Sequence, residues 1–393
     1  MAKQTVRDVD VTGKRVLVRV DFNVPLDDGQ ITDDRRIREA LPTLRYLMER
    51  GARVVLCSHL GRPKGRVVEE LRLAPVATRL AQLLDRPVRA TRQVVGPEVA
   101  AAVAALRPGE VLLLENLRFE AGEEANDPAF ARQLAALADL YVNDAFGTAH
   151  RAHASTVGVA AHLPALAGCL MEKELRFLGA LLEHPTRPFV AILGGKKVDD
   201  KIPVIRHLLT IADALLLGGA MSYTFLRAQG LEVGRSLVEP EMVGLAGELM
   251  AEAARREVVL ELPVDVLVAE RPEAGVPHRI VPVEAIPPAW MGVDIGPRTR
   301  ARFIEVMRGA QTIFWNGPMG IFEIDAFAEG TRALARALVE TSATTVVGGG
   351  DTAAAVEEAG VAERITHIST GGGASLEFME GRVLPGVAAL RDR

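Results

Sequence analysis

Cysteine is almost missing from this chain of 393 residues: Cys57 and Cys169 are its two, far apart and in apolar surroundings. That argues against a disulfide scaffold or a zinc centre and fits buried thiols in a reducing compartment. Aromatics make up 4% of the residues and the formal net charge is −5, so neither the stacking platforms nor the basic face of a nucleic-acid binder is expected. No apolar run approaches the length of a membrane span, and Met1–Val11 has no basic-then-apolar leader, which predicts a soluble, cytoplasmic chain without a membrane partner. Several common signatures are missing too. There is no G-x-x-x-x-G-K followed by Ser or Thr, no G-x-G-x-x-G opening a helix, no G-x-S-x-G elbow and no H-R-D loop.

Lysine is the scarcest of the charged residues. Of 46 basic residues 7 are Lys, and three of those fall within LGGKKVDDK, residues 193–201. Surface charge is otherwise written as Arg. A lysine ammonium is a compact charge on a flexible stem, suited to a moving phosphate, whereas the planar arginine fork suits a fixed oxyanion. Charge is also uneven along the chain. Residues 1–170 carry a net +2 and residues 171–393 a net −7, which puts an anion-recruiting surface in the first half.

Hydrophobic content of 49% over this length predicts two domains. Short apolar runs recur, among them RVLVRV (15–20), RVVLCS (53–58), VLLLE (111–115), LYVND (140–144), FVAIL (189–193), ALLL (214–217), VVLELPVDVLVA (258–269), TIFW (312–315) and TTVV (344–347). Amphipathic stretches such as 39–51, 129–140, 241–255 and 327–340 separate them. Continuous apolar strands alternating with helices predict an α/β protein with parallel sheets covered on both faces. The charged, helical stretch 171–184 is read as a linking helix. It divides a domain at 1–170 from one at 171–379, and the tail 380–393 is too short for another strand-helix-strand unit.

Ligands of open parallel sheets bind beyond the carboxyl ends of the strands, so the residues after each apolar run are the informative ones. In the first half these are DFN (21–23), SHLGRP (58–63), ENLRF (115–119) and NDAFGTAHRAH (143–153). They carry Arg62, Arg118, Arg151, His59, His150 and His153, and DDRRIR adds Arg36, a set able to clamp a small, multiply charged phosphate or carboxylate. In the second half the runs lead into LGGKK, LGGAM, WNGPMG, GGGDT and STGGGA. Glycine lets backbone N–H groups approach a phosphate, and a following helix N-terminus favours negative charge. Asp351 or Thr352 is expected to cap the helix that follows GGGDT.

An arginine-rich anion site on one domain and a glycine-rich cradle with lysines on the other suggest phosphoryl transfer, chemistry that asks a protein for alignment and positive charge. No general base stands out. A carboxylate acceptor would need none, being deprotonated at neutral pH, which points to an acyl-phosphate kinase.

RVDFNVP, SHLGRPKG, LLENLRF, FGTAHRAHAS, LGGKKVDDKI, WNGPMGIFE, GGGDTAAA and STGGGASLEF, in this order along essentially the whole chain, resemble the phosphoglycerate kinase family. The resemblance implies two Rossmann-like domains joined by a linking helix, with a tail that returns to the first domain. It also implies reversible transfer from 1,3-bisphosphoglycerate to ADP with Mg2+, giving 3-phosphoglycerate and ATP, in a cytoplasmic monomer with hinge-bending domains. Carried over by motif, Asp21, Phe22, Asn23, Arg36, His59, Leu60, Gly61, Arg62, Arg118 and Arg151 would hold the phosphoglycerate. Lys201, Gly292, Glu323, Gly349, Gly350, Asp351 and Thr352 would hold the nucleotide, with Glu323 on the ribose and Asp351 also on magnesium. Arg36, Lys197, Gly371 and Gly372 would act on the transferring group.

Lys197 and Lys201 lie at i, i+4 and share a face if the segment is helical. Lys196 departs from the family pattern, as do Asp199 and Arg35. The expectation is that Lys196 points away from the ligand and is balanced by Asp199 or Asp200. Two other readings compete: a non-catalytic nucleotide or phosphate sensor on the same fold, against which stand Arg36, Lys197 and Asp351, and a nicotinamide-dependent dehydrogenase, against which stands the missing fingerprint.

Overall fold

A computed structural model describes residues 2–393. The chain divides into two compact units, one running to Arg176 and taking in Val383–Arg393, the other Phe177–Arg382. The division falls inside the helix Cys169–Glu183.

In the first unit the apolar runs become a six-stranded sheet in the order 88–90, 111–113, 53–57, 15–19, 140–143, 165–167. Every pairing is parallel. Val16, Val18, Val54 and Leu56 are solvent-free and pack with Ile37, Leu44 and Leu47 of the helix Arg35–Glu49. Such a sheet needs helices on its faces, and burying each of these side chains contributes about 1.5–3 kcal/mol. The tail belongs to this unit. Gly386 N–H donates to the Ala149 carbonyl (2.8 Å) and Arg391 N–H to that of Ala165 (3.0 Å).

Orphan N–H groups at the start of the helix Cys169–Glu183 are taken by side chains of the same unit. Thr43 Oγ1 accepts from Cys169 (2.8 Å) and Asp144 Oδ1 from Leu170 (2.9 Å).

The second unit holds another all-parallel sheet of six, ordered 259–261, 214–217, 189–193, 312–316, 344–348, 367–368. Its order reverses between 189–193 and 312–316, the switch point at which doubly wound sheets bind ligands. The run 258–269, a single apolar stretch in sequence, is two strands. Pro263 lacks the N–H a ladder needs, so Val259–Glu261 stays in the parallel sheet. Asp265–Ala269 instead pairs antiparallel with His278–Pro282 and Met291–Ile295 in a separate small sheet.

Candidate active site

Because the strands of the first unit are parallel, their carboxyl ends deliver Asp21, His59, Glu115 and Asp144 to one edge of the sheet. Hydrogen bonds then tie the connecting loops together. Ser58 Oγ accepts from Phe22 N–H (2.9 Å), Asn23 Oδ1 from Gly61 N–H (2.9 Å) and Asn116 Oδ1 from Leu60 N–H (3.2 Å). Arg36 Nη1 donates to Asp21 Oδ2 (2.9 Å) and Arg118 Nη1 to the Gly61 carbonyl (2.8 Å).

The result is a cluster of cations. Burial first, then Arg19, Arg118, Arg36 and Arg151, hold the His59 imidazole well below its ordinary pKa, so it is neutral at pH 7. Burial also lowers the Arg118 guanidinium, with Glu124 3.2 Å away opposing the shift. Guanidinium groups gathered this closely repel one another, and an anion bound among them would relieve the strain. Arg62 is exposed and makes no side-chain bond among the described residues. Phe22 and Leu60 are core side chains whose N–H groups are already engaged.

Sequence reasoning missed the residue beneath this cluster. Arg19, 1% exposed, donates from Nε to Ser155 Oγ (2.9 Å), from Nη1 to the Val20 carbonyl (2.5 Å) and from Nη2 to His59 Nδ1 (3.2 Å). Its signal was an arginine closing an otherwise apolar strand, because a buried charge must be partnered. Ser155 in turn donates to buried Glu123, from Oγ to Oε1 (2.5 Å) and from N–H to Oε2 (3.0 Å).

In the second unit the strand ends enclose two cavities. The smaller, about 390 Å³, is lined by Lys197, Lys201, Asn316, Gly350, Asp351 and Gly372 among others. The larger, about 550 Å³, takes in Tyr223, Gly292, Asp294, Met319 and Glu323. Lys196 and Asp351 border both. Lys201 Nζ donates to Asn316 Oδ1, and Asn316 Nδ2 donates to the Gly348 carbonyl (2.9 Å). Burial pulls the Lys201 ammonium down to about 8, against the pull of Asp200, Asp351 and Glu380.

Glycine is required here for close approach. Gly219 has φ +65, and a Cβ on it would meet Gly195 N at 2.5 Å. Gly350, by contrast, faces open space. A polar cavity with three lysines and the N-terminus of the helix Gly350–Glu358 suits phosphates, while the larger, more apolar one suits a flat ring.

The model of the family described as phosphoglycerate kinase matches residues 6–382. The chain belongs to this family. The phosphoglycerate kinase of Moorella thermoacetica is 61% identical over 393 residues, with 100% of both chains covered. That of Rubrobacter xylanophilus is 62% identical, covering 100% of this chain and 99% of the relative. Among solved structures, the phosphoglycerate kinase from Coxiella burnetii aligns with a TM-score of 0.90 at 42% identity, and that from Pyrococcus horikoshii with 0.87 at 36%, each covering 98% of both chains. Membership makes the chain a glycolytic phosphotransferase on two parallel-sheet α/β units.

Three local expectations for the family's motifs need correction. Gly349, φ +91, occupies the cap of the helix Gly350–Glu358 in place of Asp351 or Thr352, and Thr352 Oγ1 instead accepts from Gly317 N–H (2.6 Å). Lys197 and Lys201 do not share a helical face. Lys197 lies in a loop and Lys201 ends the short turn Asp199–Lys201, because the glycines before it release the chain from helix. Lys196 makes no ion pair with Asp199 or Asp200, and it borders both cavities.

Gly371 N–H donates to Ser369 Oγ (3.2 Å), whereas Gly372, φ +53, has open space around it. Gly292 leaves room for the Tyr223 hydroxyl. Asp294, whose carboxylate accepts from Gly330 (2.6 Å) and Ile295 (2.8 Å), is raised to about 7 by burial. No cluster of three or more metal-ligating side chains exists among the described residues. The exposed Asp351 carboxylate beside a phosphate-sized cavity fits Mg2+, which is held by one or two carboxylates plus substrate phosphates.

Proposed function

We propose that the chain transfers the acyl phosphoryl group of 1,3-bisphosphoglycerate to ADP, reversibly, yielding 3-phosphoglycerate and ATP. The observation that carries this reading is a pairing within one chain of this family. One unit gathers Arg19, Arg36, Arg118 and Arg151 around His59, and the other has a cavity bordered by Lys197, Lys201 and Asp351. On this reading Asp21, Asn23, Arg36, His59, Arg118 and Arg151 bind the phosphoglycerate, with Arg62 free to join, and Phe22, Leu60 and Gly61 shape the loops that hold them.

Arg36 and Lys197 balance charge on the migrating group, and backbone N–H groups at Gly371 and Gly372 assist them. Lys201, Gly349, Gly350 and Thr352 engage nucleotide phosphates, while Gly292 and Glu323 line the space for base and ribose. Asp351 would hold Mg2+, which supplies charge neutralisation to the phosphates when bound. The carboxylate acceptor arrives ionised, so no side chain has to remove a proton.

The proposal includes a cytoplasmic monomer whose units close to align their ligands, and compaction by solution scattering in the presence of both substrates tests the closure. No helix among the described residues is long and apolar enough to cross a membrane. The primary test is trapping of acyl phosphate with hydroxylamine after mixing protein, 3-phosphoglycerate and MgATP. Signal that needs both substrates and collapses in Arg36→Ala supports the reading. No signal from folded, nucleotide-binding protein overturns it in favour of a sensor.

A further inference from the structure

A guanidinium has donors and no acceptor. Arg19 Nη2 lies 3.2 Å from His59 Nδ1, so that ring nitrogen must accept, and the single proton of a neutral imidazole must sit on Nε2. Nε2 has no partner among the described residues and is not one of the sealed, unpartnered atoms, so it meets solvent. We propose that Arg19 is a positioning residue that fixes His59 as a neutral Nε2–H donor, presented to the acidic ligand of this sheet edge.

Arg19 is itself held on three sides. Ser155 Oγ takes its Nε and the Val20 carbonyl its Nη1, while Glu123, linked through Ser155, supplies the buried counter-charge. The guanidinium cannot turn away from the imidazole without breaking these bonds. The charged groups of neighbouring elements that act most strongly on His59 are cations: Arg36 of the helix Arg35–Glu49, Arg118 of the turn Leu117–Phe119, and Arg151. These cations oppose imidazolium, and burial opposes it more strongly still.

The positive charge acting on His59 is thus carried by guanidinium groups, which do not titrate between about pH 5 and 8, the range in which an ordinary histidine does. His59 adds direction instead of charge. The inference deepens the proposed function and rests on it for the nature of the acidic ligand.

The test is nitrogen-15 NMR of the intact, histidine-labelled protein, with His59→Gln used to assign the resonance. Nδ1 should appear unprotonated and Nε2 protonated, unchanged between about pH 5 and 8. The double variant Arg19→Met with Glu123→Gln removes both buried charges together, which avoids stranding one of them. In it His59 should exchange tautomers while staying neutral, because burial, Arg36, Arg118 and Arg151 still act on it, and KM for 3-phosphoglycerate should rise about tenfold with KM for MgATP unchanged.

An Nδ1–H tautomer or an imidazolium in the wild type overturns the proposal, and so does a folded double variant that keeps the wild-type resonances. Should the double variant fail to fold, the wild-type spectrum decides alone. Because the spectrum needs no turnover, a failed acyl-phosphate assay with the expected tautomer counts against the kinase reading only. An active kinase with the wrong tautomer counts against Arg19 only.

Discussion

Lys201 rests its ammonium on the side-chain carbonyl of Asn316, in a cavity shared with Asp351 and Gly350. Burial has taken the lysine down to about 8, so in the free enzyme it begins to lose its charge just above neutrality. A nucleotide phosphate needs the charged form. The value of kcat/KM for MgATP, at saturating 3-phosphoglycerate, should therefore fall as pH rises through about 8, and Lys201→Arg should remove that limb. Stability should move the other way. Above about pH 8 the unfolded chain holds a proton the folded chain has released, so this group's contribution to stability rises with pH toward the ordinary lysine value. A rate profile that stays flat through this range would sink the assignment.

Two glycines of the same unit should respond oppositely to alanine. Gly219→Ala places a Cβ against the Gly195 backbone at positive φ and should destabilise the unit by at least about 1–3 kcal/mol, seen as a lower denaturation midpoint. Gly350 opens a helix, and its missing Cβ would meet nothing within 4 Å. Alanine there should leave the midpoint unchanged or raise it by up to about 1 kcal/mol, since helix propensity improves, while KM for MgATP rises. Equal thermal losses in the two variants would refute the distinction between packing glycines and ligand-facing ones.

Arg36 donates to buried Asp21 yet remains about a third exposed, with side-chain exposure of 36% against 8% for its partner. Asp21 can thus orient the guanidinium without consuming it. Arg36→Ala should lower kcat on the order of 10²–10³-fold, the scale for loss of one preorganised charge-stabilising donor, with a small change in midpoint. Arg36→Lys should recover little, because an ammonium cannot reproduce the planar fork. Full activity in the lysine variant, measured by coupled ATP formation, would show that charge alone suffices.

Asp294 offers a check on buried charge away from the phosphates. With its carboxyl raised to about 7, the folded chain binds a proton that the unfolded chain has lost between about pH 4 and 7. Its contribution to stability falls as pH rises through that window. The midpoint of Asp294→Asn relative to wild type should therefore improve from about pH 4 to 7. A difference independent of pH would contradict it.

What is legible in the sequence follows from periodicity and strand direction. Runs such as FVAIL and TIFW are too short and too uniformly apolar for surface helices, and parallel pairing puts every strand's following residues on one edge, so arginine-bearing and glycine-bearing ends separate on inspection. Side-chain pairs distant along the chain are not legible. Arg19 with His59 and Lys201 with Asn316 depend on which strands become neighbours, which no local pattern encodes. Local rules also gave way to tertiary demands. The expected helical face of Lys197 and Lys201 is lost because the glycines before them pack loop against loop.

Lys196 is where that loss has a functional consequence. Freed from a helix, it sits exposed beside both cavities with neither Asp199 nor Asp200 as an ion-pair partner. An unpaired ammonium at such a border costs little to recruit, since no salt bridge has to break first. The departure from the family pattern should then strengthen nucleotide binding. Lys196→Ala should raise KM for MgATP roughly tenfold, equivalent to about 1.4 kcal/mol, and leave KM for 3-phosphoglycerate unchanged. The effect should shrink with added salt, because the charge is solvent-exposed. An unchanged KM at low ionic strength would mean that the side chain stays in solvent while its backbone alone lines the cavities.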